Sequence, residues 1–217
     1  MMRTSFFAFL FLLFLFDGSA QKIEPKHTFQ FELGLPNGFS NKPFRQYMQG
    51  LMVLAPSYQY AFKNGLALGG GIRYHYFQVN QFRIPTKTIG GMHSASAFAK
   101  IGYQKFLTER VELDAGVKVG YSENLFNTDR NKTLGQNPYR VTSLIIEPTF
   151  KIGIVADEQV AYSFFVAYGV QGFALKPNML GLESFGFNAA EVAVQNKRAV
   201  SFLTFGFGLT YYFKEKS

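Results

Sequence analysis

Eight segments of this chain alternate between apolar and polar residues with period two, and that alternation restricts the fold more than any other feature of the sequence. The clearest is Val111 to Tyr121. There Val111, Leu113, Ala115, Val117, Val119 and Tyr121 are separated by Glu112, Asp114, Gly116, Lys118 and Gly120. A strand points successive side chains to opposite faces, so one face here is greasy and the other charged or small. His27 to Leu35, Leu51 to Phe62, Leu66 to Phe77, His93 to Phe106, Val141 to Val155, Val160 to Gln171 and Ala199 to Phe213 repeat the pattern. Such repetition predicts eight strands and an all-β fold.

The connections alternate in length. Lys63-Asn64-Gly65, Leu107 to Arg110 and Ala156 to Gln159 are short, and Asn-Gly suits a two-residue hairpin turn. Pro36 to Gly50, Gln78 to Met92, Ser122 to Arg140 and Gly172 to Arg198 are long and polar. Both chain ends then lie at the short-turn rim, which suits an antiparallel up-and-down barrel with long loops at the opposite rim.

A barrel of this size can turn its greasy face inward around a ligand or outward to lipid. The opposite faces carry Glu32, Glu112, Asp114 and Glu147 together with Arg73, Lys100, Lys118 and Lys151, four acids against four bases. Water-exposed faces have no reason to balance, whereas unpaired charge in a dry interior costs several kcal/mol. Phe and Tyr supply 18% of the chain with no Trp, and Tyr58, Tyr60, Tyr74, Tyr76, Tyr103, Tyr121 and Tyr211 fall near strand ends, as membrane interfaces require. We therefore expect an eight-stranded antiparallel up-and-down transmembrane β-barrel, greasy outside, its lumen filled by those eight charges and His75. A register in which paired positions sum to 265 sets Lys118 opposite Glu147 and Asp114 opposite Lys151.

Arg3, the apolar run Phe6 to Phe16 and the small residues Gly18-Ser19-Ala20 predict a cleaved secretory signal peptide over residues 1–20. The run is shorter than the ~20 apolar residues a spanning helix needs. Residues 21–217, 217 − 20 = 197 in number, then form one domain. The chain contains no Cys, which excludes disulfides, thiol catalysis and Cys-ligated metals, and no residue group has metal-ligand spacing. Neither a metal nor a cofactor is expected.

The last segment, Phe205 to Phe213 ("FGFGLTYYF"), resembles the final strand of outer-membrane proteins, with Gly208, Tyr211 and Phe213 at the positions of the assembly signal. Gly206 stands where that signal usually begins with a polar residue, and Lys214 to Ser217 follow it. Together with the leader and the loop alternation, the chain resembles the small OmpA/OmpX-type barrels over its whole length. The resemblance implies outer-membrane residence and recognition by the barrel-assembly machinery, and carries little biochemical specificity. A monomer is expected.

Net charge is +8, and the long loops hold Lys42, Arg45, Arg83, Lys87, Arg130, Lys132, Arg140, Lys176, Lys197 and Arg198 against Glu123, Asp129, Glu183 and Glu191, so 10 − 4 = +6 lies there. A basic rim favours anionic partners. In an outer membrane the expectation is lipopolysaccharide or a binding partner, and not nucleic acid. An alternative is lipid A modification (deacylation or acyl transfer) with His93 as base, since "GMHSASAF" sets it beside Ser94 and Ser96. The His-x-Ser pair of the lipid A deacylases would need Ser at Ala95. A small pore is the remaining alternative. Gly69 to Gly71 lacks the Lys-Ser/Thr of a phosphate loop and suits strand bending. The fourth long loop carries Phe173, Leu175, Met179, Leu180, Leu182, Phe185 and Phe187, which either fold over the mouth or form a binding patch.

Overall fold

The computed structural model describes residues 26–136 and 138–213, so the leader over residues 1–20 and the tail Lys214 to Ser217 lie outside the described residues. Eight strands close into one antiparallel barrel in sequence order: β1 Lys26–Ser40, β2 Met48–Ala61, β3 Leu66–Val79, β4 Gly90–Phe106, β5 Val111–Thr128, β6 Tyr139–Val155, β7 Val160–Gln171 and β8 Val200–Tyr212. The β1–β8 ladder that completes the ring runs from Thr28↔Tyr212 to Ser40↔Ser201. Among the described residues no helix is long and apolar enough to cross a membrane.

The outward face is greasy along the lower barrel: Leu33, Ile72, Val119, Ile146, Phe164 and Phe207 are all exposed. Inward neighbours such as Gln30, Arg73, Lys118, Glu147, Ser163 and Thr204 are buried. That arrangement suits lipid outside and polar packing within, the signature of a transmembrane barrel. The β5–β6 register sets Lys118 opposite Glu147 and Asp114 opposite Lys151, as the sum of 265 requires. Narrowness is met by small residues. A Cβ at Gly206 would lie 2.6 Å from the Phe165 ring, which crosses the lumen there.

The first short turn departs from the two-residue form. Phe62 and Leu66 close the hairpin, leaving the three residues Lys63 to Gly65 as its loop. Gly65 takes φ +86°, the left-handed position that a three-residue hairpin places there. Asn64 contributes differently, its side chain accepting from the Leu66 N–H at 3.0 Å.

Several strands continue beyond their alternating segments at the long-loop rim. β5 runs seven residues past Tyr121 to Thr128, β1 reaches Ser40 and β4 begins at Gly90. Over these extensions the faces exchange character. Phe77, Val79, Met92, Phe126, Val200 and Phe202 point inward and are buried. Gln49, Gln78 and Arg140 point outward and are exposed. Above the membrane the outer solvent is water, so burial again favours apolar residues inside.

The long loops complete this upper core. The first contains helix α1 (Lys42–Tyr47), the third α2 (Asp129–Thr133), and the fourth a 3-10 turn (Pro177–Leu180) followed by α3 (Ala189–Gln195). Phe173, Leu175, Met179, Leu180, Leu182 and Phe185 of the fourth loop are buried against Phe44, Phe77, Phe126 and Phe202. The fourth loop therefore folds over the mouth. Hydrogen bonds fasten it there: Tyr47 Oη donates to the Phe185 carbonyl at 2.9 Å, Asn131 Nδ2 to Met179 at 2.8 Å and Thr128 Oγ1 to Leu180 at 3.2 Å. Burial raises the Tyr47 phenol above its ordinary pKa, so it remains a donor.

The exchange of faces along β5 predicts opposite outcomes on one outward row. Val117→Arg, near the middle of the stretch between Val111 and Tyr121, should cost about 2–4 kcal/mol in denaturant unfolding from lipid vesicles, whereas Asn127→Arg should cost less than about 0.5 kcal/mol.

Candidate functional site

The lumen holds two ion clusters, one above the other. In the lower, Asp114 of β5 accepts from Lys100 of β4 at 2.7 Å on both oxygens and lies 3.4 Å from Lys151 of β6. Gln30 and Gln59 also donate to it, at 3.4 and 3.3 Å. Nearby, Glu112 accepts from Gln104 Nε2 at 2.8 Å and from the Tyr212 hydroxyl. In the upper cluster Lys118 donates to Glu32 at 2.5 Å and lies 3.8 Å from Glu147, which also accepts from Arg73. The Phe98 ring packs beneath both cations, 5.1 Å from the Arg73 guanidinium and 5.3 Å from Lys118 Nζ.

All nine lumen residues read from the alternation are buried. Each cluster is neutral when its acids and bases are charged: Lys100 and Lys151 against Glu112 and Asp114, Arg73 and Lys118 against Glu32 and Glu147. His75 makes no hydrogen bond from either ring nitrogen; its ring packs on Phe202 at 4.8 Å and Phe77 at 6.1 Å, where charged lumen meets apolar cap. It thus sits in the lumen without joining the ion pairs.

His93 faces the other way. It lies on the outer wall near the long-loop rim, its Nδ1 2.7 Å from the Tyr74 hydroxyl and its ring 4.9 Å from Tyr76. Ser94 and Ser96 point into the lumen, where Ser94 accepts from Gln171 Nε2 at 3.0 Å. The outward neighbour along the strand is Ala95. The serines beside His93 in sequence are thus on the opposite face, and none can take part in a catalytic pair with it. Among the described residues no group of three His, Asp or Glu side chains could hold a metal ion.

The ten basic residues assigned to the loops occupy the long-loop rim. Arg140 lies on β6 rather than in a loop, where it pairs with Glu123 of β5 at 3.2 Å. Lys42 pairs with Glu191 of α3 at 2.8 Å. That hydrogen bond holds the Glu191 carboxyl below its ordinary pKa. Among the described residues the other eight form no ion pair, and all but half-buried Arg130 are exposed. Arg130 lines a cleft of about 690 Å³ between the second, third and fourth loops, with Glu183 and Thr133.

No protein-family model matches the chain, and no curated protein matches it. Solved structures do. Neisserial surface protein A superimposes with a TM-score of 0.54 at 14% identity, covering 86% of this chain and 97% of its own. OprG of Pseudomonas aeruginosa gives 0.55 at 10% identity, covering 92% and 100%. Ail, the attachment invasion locus protein of Yersinia pestis, gives 0.50 at 12%, covering 88% and 100%. This chain has the fold of the small eight-stranded outer-membrane barrels. At such identities the likeness concerns the fold alone.

Of the residues assigned to the assembly signal, Tyr211 and Phe213 face outward at the short-turn rim, their rings 5.3 Å apart edge to face. Gly208 faces Ser163, whose Oγ would lie 2.5 Å from a Cβ there. Sequence reasoning missed Tyr212, Gln30, Gln59 and Gln104, which supply donors to the carboxylates. Gln30, Gln59 and Gln104 alternate with apolar residues like any lumen position, so the signal for them was present, whereas Tyr212 stands between Tyr211 and Phe213, where the alternation is lost. It also missed the Tyr74–His93 pair, which depends on the β3–β4 register.

Removing Asp114 strands two ammonium groups at once. Asp114→Asn should destabilise the barrel by about 3–5 kcal/mol in urea titrations, and adding Lys100→Met should restore part of that loss.

Proposed function

We propose that the protein is an integral outer-membrane barrel that acts at its external face, where basic loops hold lipopolysaccharide or a surface partner. The observation that carries this is the set of eight cations at one rim without an ion pair among the described residues, Arg45, Arg83, Lys87, Arg130, Lys132, Lys176, Lys197 and Arg198. A rim built only for stability would pair its charges within the chain, as Lys42 and Arg140 are paired. Cations left open toward the sugar-phosphate layer of an outer leaflet are available to its phosphates.

Two further features support an external rather than a transmembrane role. Ion pairs and large side chains, including Phe98 and Phe165, fill the lumen, and the fourth loop seals its mouth. Eight strands leave room only for such packing, so the interior acts as a plug and not as a channel. On the lipid-facing wall His93 has no serine on its own face, which disfavours lipid A hydrolysis. The leader over residues 1–20, a monomeric state and delivery by the assembly machinery through Gly208, Tyr211 and Phe213 belong to the same reading.

Reversing Arg45, Arg83, Lys132 and Lys197 to Glu together should reduce lipopolysaccharide co-purification several-fold while heat-modifiable gel migration stays unchanged. Undiminished co-purification would refute the lipopolysaccharide reading. Single-channel recordings of the wild-type barrel should show no steady conductance. Lipid A from cells carrying wild type or His93→Ala should have identical masses.

A further inference from the structure

The basic residues of the rim are not spread evenly. Lys42, Arg45 and Arg83 converge with Gln46 on one cleft of about 500 Å³ between α1 and the second loop, and no carboxylate lines it. Every lining side chain is thus a cation or an amide. Lys42 is held by Glu191, while Arg45 and Arg83 have no acidic partner among the described residues. Two free guanidinium groups beside an ammonium make a site for a doubly charged oxyanion, which Arg binds through paired N–H donors.

The scaffold beneath these side chains is built, not loose. Asn41 caps α1, accepting from Phe44 N–H at 3.1 Å, and its amide donates to the Gln195 and Arg198 carbonyls at 3.1 and 2.9 Å. Asn41 takes φ +64° to do so. Phe44 and Tyr47 anchor the helix in the upper core. The second loop is tied to it through Asn80 N–H, which donates to the Tyr47 carbonyl at 2.8 Å. Asn80 in turn accepts from Arg83 N–H at 3.1 Å, and Ile84 is buried behind the turn. Backbone positions of Arg45 and Arg83 are therefore fixed relative to each other, which reduces the ordering cost of closing on a ligand.

Two observations identify the kind of anion. Phe82, adjacent to Arg83, is 100% exposed. It does not line the cleft, but as the chain neighbour of a lining cation it is free to pack on the carbon surface that a sugar phosphate carries next to its charge. The second is height. Tyr74 and Tyr76 mark the external membrane interface on β3, and Gln78 pairs with Gln49 just above them. The cleft follows within a few residues, about 10 Å above that interface at ~3.4 Å per residue and barrel tilt. Phosphorylated sugars attached to a lipid anchor lie at this level.

We infer that the α1–second-loop cleft is a phosphate-ester site, in which Arg45, Arg83 and Lys42 hold a phosphorylated sugar with Phe82 against its ring. This rests on the external-face reading and assigns it to one place. It predicts that the basic residues are unequal: the cleft carries the affinity, and Lys132, Lys197 and Arg198 contribute only general attraction.

The test uses the full-length mature barrel in phosphate-free alkyl glucoside micelles, with heat-modifiable migration as the folding control for each variant. Retention of lipopolysaccharide, of the same material treated with phosphatase, and of inorganic pyrophosphate is compared. Arg45→Glu/Arg83→Glu should lower lipopolysaccharide affinity about tenfold or more, and reversing Lys132, Lys197 and Arg198 together by less than about threefold. Phosphatase treatment should reduce wild-type binding to the level of the cleft variant. Phe82→Ala should weaken lipopolysaccharide binding and leave pyrophosphate binding unchanged. Saturable pyrophosphate binding that is lost in the cleft variant, with Phe82→Ala without effect on any ligand, assigns the site to a free phosphate instead of a sugar phosphate. Equal binding of treated and untreated lipopolysaccharide, with no pyrophosphate binding, overturns the inference. Loss of affinity from the distal reversal but not from the cleft variant overturns it while leaving the external-face reading intact. If neither set of reversals has any effect, the lipopolysaccharide reading of the external face falls with it.

Discussion

A backbone placed in hydrocarbon must satisfy every N–H and C=O from within the protein, and here the β1–β8 ladder makes that possible. An open eight-stranded sheet would leave two edges in lipid. Closure removes them, and every other property of the molecule follows from the ring so formed. The ring has an inside too narrow for water to fill freely and an outside that meets two different solvents along its height. Side-chain choice is then determined by position on the wall.

Inside the membrane band the constraint is charge balance. Four acids and four bases occupy a space with little water, so the charges must balance and each carboxylate must be held by an ion pair or by hydrogen bonds, as Glu112 is by Gln104 and Tyr212. The chain meets this with two neutral clusters instead of one extended network. Asp114 joins Lys100 and Lys151 below; Glu147 joins Arg73 and Lys118 above. Amides from Gln30, Gln59 and Gln104 and the Tyr212 hydroxyl supply further hydrogen bonds to the carboxylates. Above the band the problem changes. Water outside and loop residues inside favour an apolar core, and Phe44, Phe77, Phe126 and Phe202 form it with the fourth loop. The same ring is thus a membrane barrel below and a soluble-type barrel above. Its external surface gains rigidity from that second core, which holds α1 and the second loop in fixed relation.

Strand number, face assignment and the β5–β6 register were legible in the residues because each rests on a local rule. Alternation is a property of neighbouring positions, and Lys118 and Asp114 could be matched to Glu147 and Lys151 by counting. The upper extensions were not legible as strands, and the reason is physical. Between Tyr121 and Thr128 the apolar residue Phe126 lies on the face that carried Glu112 and Asp114 lower down. A reading that assumes one solvent outside sees this change of phase as the end of the strand. Asn-Gly was likewise read correctly as a turn, but its loop length depended on how Phe62 and Leu66 pair.

By itself, the sequence determined that the chain is all-β, that it has eight strands, and which face of each strand is greasy within the membrane. These follow from period two, because a side chain's face depends only on its parity along a strand. Tertiary structure decided the rest. It placed Arg45 and Arg83, distant in sequence, on one cleft; it separated His93 from the serines beside it; and it turned the apolar fourth loop inward. Each of these depends on which strands are neighbours and how far they extend before the solvent changes. Neither quantity is contained in a local pattern, since both arise only when the ring closes.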